Sequence, residues 1–312
     1  MSTLSNILFM TIRLSTPIVL AALACAITKK AGLLNMGAEA LMLMAALMGV
    51  LVSAWTQSLI IGIIAGLASS VLITLIICYV SFDLKCDLNL TNISMNNAVI
   101  GGTVFIMYLV TGQKSVTAGI LNSKTMPTVD IPIIKDIPFL GDVLSGHSIM
   151  TYIGVVMIFA VWFLLYKTVL GLRIRCVGEN PQAAESVGIS SKKIWYISYA
   201  LSGLVAGMGG IFMSMGYLSW FARDMMGGRG FMAMAAMNIA SGEPIGTAIN
   251  VLLFGLAQAF GTFIQRYNIN ADLILAFPYM FAVLLISVLT FIRQRREKQH
   301  RQNLIKQREQ LQ

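Results

Sequence analysis

The chain has 312 residues, of which 57% are hydrophobic and 11% charged, and its mean hydropathy is +0.79. Soluble domains carry about 25% charged residues, so these values predict a polytopic membrane protein and exclude a secreted disulfide scaffold, a disordered chain and a free nucleic-acid-binding domain. The formal charge of +9 indicates basic cytoplasmic loops rather than a nucleic-acid partner.

Apolar runs of about 20 residues, the length that crosses about 30 Å of hydrocarbon, dominate the sequence. Nine candidate crossings follow in chain order, of which the fourth and seventh are short: 7–27, 35–55, 59–82, 97–111, 149–166, 194–215, 230–240, 247–263 and 272–292. We therefore expect an all-α membrane domain of eight to ten helices over residues 1–292, followed by a basic tail over 293–312.

Lys and Arg set the expected orientation, because cytoplasmic loops of membrane proteins are enriched in them. With nine crossings, fifteen of the 22 Lys and Arg residues fall on one face, in the tail, in the loop 167–193 and at Lys29, Lys30 and Lys85, and six fall on the other. We therefore expect the N-terminus outside the cell and the tail inside.

Residues for enzymatic chemistry are sparse. The chain has only 2 His, in an expected loop and in the tail, and its 4 Cys show no CxxC spacing, so we expect no metal site and reduced thiols. It has no GxxxxGK[ST] loop either, so ATP hydrolysis by a P-loop of its own is not expected. The sequence therefore does not favour a membrane-embedded enzyme.

The most specific polar segment is 171–189, GLRIRCVGENPQAAESVGI. Its second half predicts a short capped helix, since Asn180 suits the N-cap, Pro181 the first helical position and Gly188 a left-handed stop. A two-turn helix is marginal alone in water, so it needs a surface to pack against. The residues leave two interpretations open: a surface helix between two crossings, or a docking helix for a cytoplasmic partner.

Glu39 is an acid inside an apolar run, and Asn35 lies one helical turn before it on the same face. An intramembrane acid is costly and is by default a functional candidate, so Glu39 could line a substrate pathway; the alternative is that it pairs internally or caps a broken helix. Other amides could face the same route or support packing. They are Asn92, Asn96, Asn97, Asn238 and Gln258.

Glycines predict two architectural features. Gly203, Gly207 and Gly210 lie on nearly one helix face, which favours close helix packing. Glycine-rich turns at 32–39 and 228–236 both open helices and, in the expected topology, enter from opposite faces, as in an inverted repeat.

Three stretches resemble one family. The segment 171–189 resembles the cytoplasmic coupling segment of bacterial ABC-importer permeases of the ribose/branched-chain amino acid class. AGLLNMGAEALML (31–43) and GRGFMAMAAMNIASGEPIGT (228–247) resemble their early and late glycine-rich signatures. The combination of Asn35, Gly37 and Glu39 looks most like the smaller permease subunit of basic-membrane-protein-type nucleoside (guanosine/ribonucleoside) importers. Glu243 is a departure, because the family usually carries Lys or Arg near that turn.

The resemblance implies a plasma-membrane permease subunit that forms the translocation path for nucleosides and binds no cofactor itself. Its implied partners are a larger homologous permease in a heterodimer, an ATPase that binds ATP and Mg, and an extracytoplasmic substrate-binding lipoprotein. Coupling to the ATPase would involve Gly178, Asn180, Pro181, Ala183, Ala184, Glu185 and Gly188. The expected pathway residues are Asn35, Glu39, Asn96, Asn97 and Asn238. A permease for a sugar or a branched-chain amino acid, and a stand-alone secondary transporter, remain alternatives.

Overall fold

The computed structural model describes residues 3–130, 140–264 and 280. The expected ninth crossing, 272–292, and the tail, 293–312, therefore lie outside the described residues, apart from Met280. The described ranges form a bundle of α-helices with one short two-stranded ribbon, so the all-helical architecture is confirmed for this part of the chain.

The described ranges contain eleven α-helices. They are α1 (Thr3–Lys30), α2 (Ala38–Thr56), α3 (Leu59–Cys78), α4 (Leu88–Thr111), α5 (Leu140–Leu144), α6 (Ile149–Lys167), α7 (Val169–Glu179), α8 (Pro181–Ser186), α9 (Ser191–Ile211), α10 (Arg229–Ile239) and α11 (Pro244–Ile264). Two π-helical turns, Tyr79–Asp83 and Phe212–Tyr217, continue α3 and α9. In the ribbon, β1 (Thr128–Val129) runs antiparallel to β2 (His147–Ser148), with Thr128 opposite Ser148.

Within the described ranges, 7 helices are long and apolar enough to cross a membrane: α1, α2, α3, α4, α6, α9 and α11. The expected crossing at 230–240 is not formed by a spanning helix alone. There α10 has only 11 residues, or about 16 Å, half the hydrocarbon thickness. Composition could not reveal this, because a half-length helix buried in protein is as apolar as a short crossing.

The irregular segment 218–228 and α10 together connect the two ends of the bundle. At one end of the bundle, the Phe221 N–H donates to the Thr117 hydroxyl at 2.9 Å. At the other end, Lys30 Nζ donates to the Ser241 carbonyl at 3.2 Å. The chain between these two contacts therefore passes through the bundle as an irregular segment followed by a half-length helix.

Helices α1 and α9 pack against each other at the centre of the bundle. Around this pair, α1 also packs on α10 and α11, whereas α9 packs on α2 and α3. Helices α4 and α6 are mainly exposed along their spans. Their outer faces must therefore meet lipid or other subunits.

Glycines allow the central helices to approach closely, as expected. A Cβ on Gly210 would overlap the Met42 carbonyl of α2, and one on Gly203 would lie 2.8 Å from the Thr74 side chain of α3. Backbone-to-backbone packing of this kind is typical of membrane helices, where small residues increase van der Waals contact.

Candidate functional site

The helical path is interrupted between α1 and α2. Residues 31–37 are not helical, and Asn35 is fully buried. Non-helical backbone at membrane depth is tolerated only where protein or water satisfies its hydrogen bonds. The partners of this segment, which we call the central break, therefore define the first part of the site.

Asn35 stabilises the central break from within. Its Oδ1 accepts the Gly37 N–H at 2.9 Å, and its Nδ2 donates to Ser202 Oγ of α9 at 2.8 Å. One side chain thus shapes the turn before α2 and binds the segment to the central helix.

Two amides of α4 satisfy the backbone of the central break. Asn92 Nδ2 donates to the Leu34 carbonyl at 3.3 Å, and Asn96 Nδ2 donates to the Met36 carbonyl at 2.8 Å. Asn96 Oδ1 also accepts the Ala40 N–H at 3.0 Å, in the first turn of α2. Both amides are buried, so in this conformation they bind protein backbone.

Helix α9 contributes contacts that the sequence analysis missed. Trp195 Nε1 donates to the Ala31 carbonyl at 3.2 Å, and the Tyr199 hydroxyl donates to the Leu34 carbonyl at 3.4 Å. Trp195, Tyr199 and Ser202 are spaced i, i+4, i+7, so they share one helix face. That spacing of polar side chains in an apolar helix could have indicated these contacts from the sequence.

Glu39 connects the central break to α10. Its Oε1 accepts the Gly228 N–H at 2.7 Å and its Oε2 accepts the Gly230 N–H at 2.8 Å, while the side chain is 4% exposed. The first N–H groups of a helix have no partner within the helix, and Gly228 provides no side-chain cap. Glu39 therefore caps α10 from the first turn of α2.

The two helix N-termini meet closely at this carboxylate. A Cβ on Gly230 would lie 2.6 Å from the Glu39 nitrogen, so only glycine fits there without a shift. Helix N-termini carry partial positive charge and favour an anion. The charge of Glu39 is thus stabilised by α10, and its role in transport stays a prediction.

The five expected pathway residues do not form one cluster. Asn35, Glu39 and Asn96 meet at the central break, as described above. Asn97 is exposed on the outer face of α4, and Asn238 is exposed near the far end of α10. The structure therefore separates a buried polar cluster from two exposed amides.

The expected capped helix is confirmed as α8. Asn180 Oδ1 accepts the Ala183 N–H at 3.1 Å, and Pro181 occupies the first turn. Gly188 has φ +84, and the Ile189 N–H donates to the Ala184 carbonyl at 3.0 Å. These caps could be predicted from the sequence because all their partners lie within a few residues.

The two alanines of α8 face different surroundings. Ala183 is exposed, along with Gln182 and Glu185, whereas Ala184 is 4% exposed and packs within the chain. The expectation that both alanines face a partner is corrected for Ala184. A two-turn helix needs packing from its own chain, and Ala184 supplies it.

Gly178 brings the loop of α7 and α8 onto the central break. A Cβ on Gly178 would overlap the Lys30 carbonyl, and one on Gly32 would lie 3.1 Å from the Gly178 carbonyl oxygen. The end of α7 therefore rests on the backbone that begins the central break. Movement of this loop would reach the segment directly.

Glu243 has a defined partner despite its departure from the family pattern. The Tyr166 hydroxyl donates to Glu243 Oε1 at 2.7 Å, and the Arg175 guanidinium lies 5.0 Å from the Tyr166 ring centre. The three residues link α6, α7 and the turn before α11.

Metal-binding groups of three or more His, Cys, Asp or Glu residues do not occur within the described ranges.

Nearly the whole chain is similar to known transport proteins. The family model described as "Branched-chain amino acid transport system / permease component" matches residues 7–290. Guanosine ABC transporter permease protein NupQ of Bacillus subtilis is 30% identical over 91% of this chain and 92% of its own length. Nucleoside ABC transporter permease protein NupC of Lactococcus lactis is 25% identical over 88% and 89%. The putative glucose ABC transporter permease protein TsgC13 of Haloferax volcanii is 28% identical over 87% and 82%.

No solved structure gives a significant match to the chain. The family match and the spanning helices together indicate a multi-pass protein of the plasma membrane.

Proposed function

We propose that the chain, which belongs to the permease-component family of branched-chain amino acid transport systems, is the permease subunit of an ABC importer for nucleosides. The observation that carries the substrate class is its similarity, over nearly its whole length, to guanosine and nucleoside permeases. The putative glucose permease TsgC13, which is similarly related, favours a sugar as the second candidate.

Uptake in cells separates these substrates. We expect a strain lacking this chain to lose uptake of labelled guanosine or another ribonucleoside and to keep uptake of labelled glucose, with return of nucleoside uptake when the chain is supplied again. Loss of glucose uptake with unchanged uptake of every ribonucleoside tested would contradict the nucleoside assignment and favour the sugar.

The outer face of α4 supports a translocation path. Ser94, Asn97 and Gly101 are exposed there at helical spacing, and a Cβ on Gly101 would meet nothing within 4 Å. An amide facing lipid is unfavourable, so we place this face toward a path shared with a larger homologous permease. In this proposal Asn97 contacts the path directly, whereas Asn35, Glu39 and Asn96 hold the central break beside it.

The remaining proposed partners lie at the two ends of the bundle. The binding lipoprotein would deliver substrate at the end that carries the segments 112–130 and 140–148, and the ATPase would dock on the exposed side of α8. The contact of Gly178 with the central break supports transmission of ATPase movement to the membrane interior.

The packing supports an inverted repeat. In one unit α1 is followed by the central break and α2, and in the other α9 is followed by the irregular segment 218–228 and α10. Each unit's first helix packs on the next two helices of the other unit.

We expect the end of the bundle with α8 to be cytoplasmic, because most of the Lys and Arg residues that the structure describes lie on that side. Cys86 and Cys176 are exposed at this end. In intact cells, an impermeant maleimide should leave both thiols unlabelled and should label a Cys introduced at the exposed Gln113 on the other side. Labelling of Cys86 before permeabilisation, in a variant without Gln113→Cys, would reverse the orientation.

A further inference from the structure

A groove of about 710 Å³ lies where α1 and α6 end, bordered by α7 and α8. Three cations, Lys29, Lys30 and Arg175, line it together with one acid, Glu179. These lining residues therefore carry a net positive charge. Gly178, Asn180 and Ala183 also line the groove, so it adjoins the side of α8 on which the ATPase is proposed to dock.

The cations of the groove keep unused hydrogen-bonding capacity. Lys30 Nζ donates to the Ser241 carbonyl, which uses one of its three donors. Arg175 stacks on Tyr166, and its buried Nε has no hydrogen-bond partner within the described part of the chain. These cations can therefore still donate hydrogen bonds to an anion in the groove.

The groove lies at the ends of two candidate membrane spans. The spans of α1 and α6 end at Lys30 and Lys167, and Lys30 and Tyr166 line the groove. A basic pocket between membrane helices at the cytoplasmic boundary is typical of anionic lipid headgroup sites.

An apolar strip leads from the bilayer-facing surface to the groove. On α6, Val156, Phe159 and Phe163 are 63%, 61% and 57% exposed along one face. On α7, Val169 and Leu172 are 68% and 52% exposed, and Leu172 lines the groove. The strip continues a lipid-facing surface, so it favours an acyl chain over a water-soluble protein as its occupant.

We propose that the groove binds an anionic phospholipid, with its headgroup phosphate at Lys29, Lys30 and Arg175 and an acyl chain along α6. The charge of the groove selects an anion, and the apolar strip selects a lipid. Occupancy would hold α7 against the membrane beside the contact of Gly178 with the central break. This lipid site is independent of which substrate the permease carries.

Native mass spectrometry of the purified complex tests the site with phosphatidylglycerol and phosphatidylcholine of identical acyl chains. We expect phosphatidylglycerol to be retained preferentially. Lys29→Gln should weaken that retention about fivefold, since each cation contributes modestly to attraction of an anionic lipid, and Lys29→Gln with Arg175→Gln should weaken it further. Lys114→Gln, an exposed cation at the opposite end of the bundle, should leave retention unchanged.

Three outcomes would overturn the proposal. Equal retention of the two lipids, or unchanged phosphatidylglycerol retention by the Lys29→Gln variant, would exclude an anionic lipid site. Complete displacement of phosphatidylglycerol by millimolar inorganic phosphate would indicate a site for free phosphate. Loss of the ATPase from the Lys29→Gln complex, with lipid retention unchanged, would assign the groove to the protein partner.

Discussion

Replacing Glu39 by glutamine is expected to lower both uptake and the thermal stability of the permease. Both carboxylate oxygens accept backbone N–H groups of α10, but an amide offers only one oxygen. One buried N–H would then face an NH₂ group, and an unsatisfied buried donor costs about 1–3 kcal/mol. A loss of about 1.4 kcal/mol lowers the equilibrium constant for correct packing of α10 about tenfold. We therefore expect uptake to fall about tenfold or more.

The measurement compares uptake per assembled complex with the melting temperature of the purified protein. Asp87→Asn is the matched control and should change neither, because it removes an exposed charge while the amide oxygen can still accept the Leu90 N–H at the start of α4. Reduced uptake with unchanged melting would instead favour a direct pathway role for the carboxylate. Normal uptake and normal melting would contradict the capping role altogether.

An arginine at Ala183 is expected to uncouple the permease from its ATPase. Ala183 is exposed on α8, so the permease should still fold and insert. At the proposed docking surface, however, the variant would place an unpaired charge in a desolvated contact, which costs several kcal/mol. Co-purification of the ATPase, or its stimulation by loaded binding protein, should fall at least tenfold.

Two further alanines provide controls for this prediction. Ala118→Arg places the same cation at an exposed position of the opposite loop and should leave ATPase binding unchanged. Ala184→Arg should destabilise the permease itself, because Ala184 is buried within the chain, so its loss of ATPase would not report docking. Full ATPase binding and stimulation with Ala183→Arg would show that α8 is only a surface connector.

The α8 cap was predictable because its signals are local. Asn180, Pro181 and Gly188 each act within a few residues of their own position. The burial of Ala184 beside the exposed Ala183 was not predictable in the same way, since the two residues have identical chemistry. Only the packing of α8 on its own chain distinguishes them.

Long-range contacts explain why the role of Glu39 stayed open. Its partners, Gly228 and Gly230, lie 189 and 191 residues away in sequence. The sequence suggested an acid that lines a path or caps a broken helix, and only the tertiary fold brings α10 to it. The same reason hid the contacts of α9, whose tyrosine and tryptophan bind a segment more than 160 residues earlier.

The central break has a consequence for biosynthesis. The carbonyls of Leu34 and Met36 are bound by side chains of α4 and α9, which emerge from the ribosome well after the break itself. Until those helices arrive, part of this backbone has no native partner, and lipid offers none. Until then, α1, the central break and α2 need water or another protein to satisfy this backbone. We therefore expect a chain truncated before α4 to be a target for proteolysis.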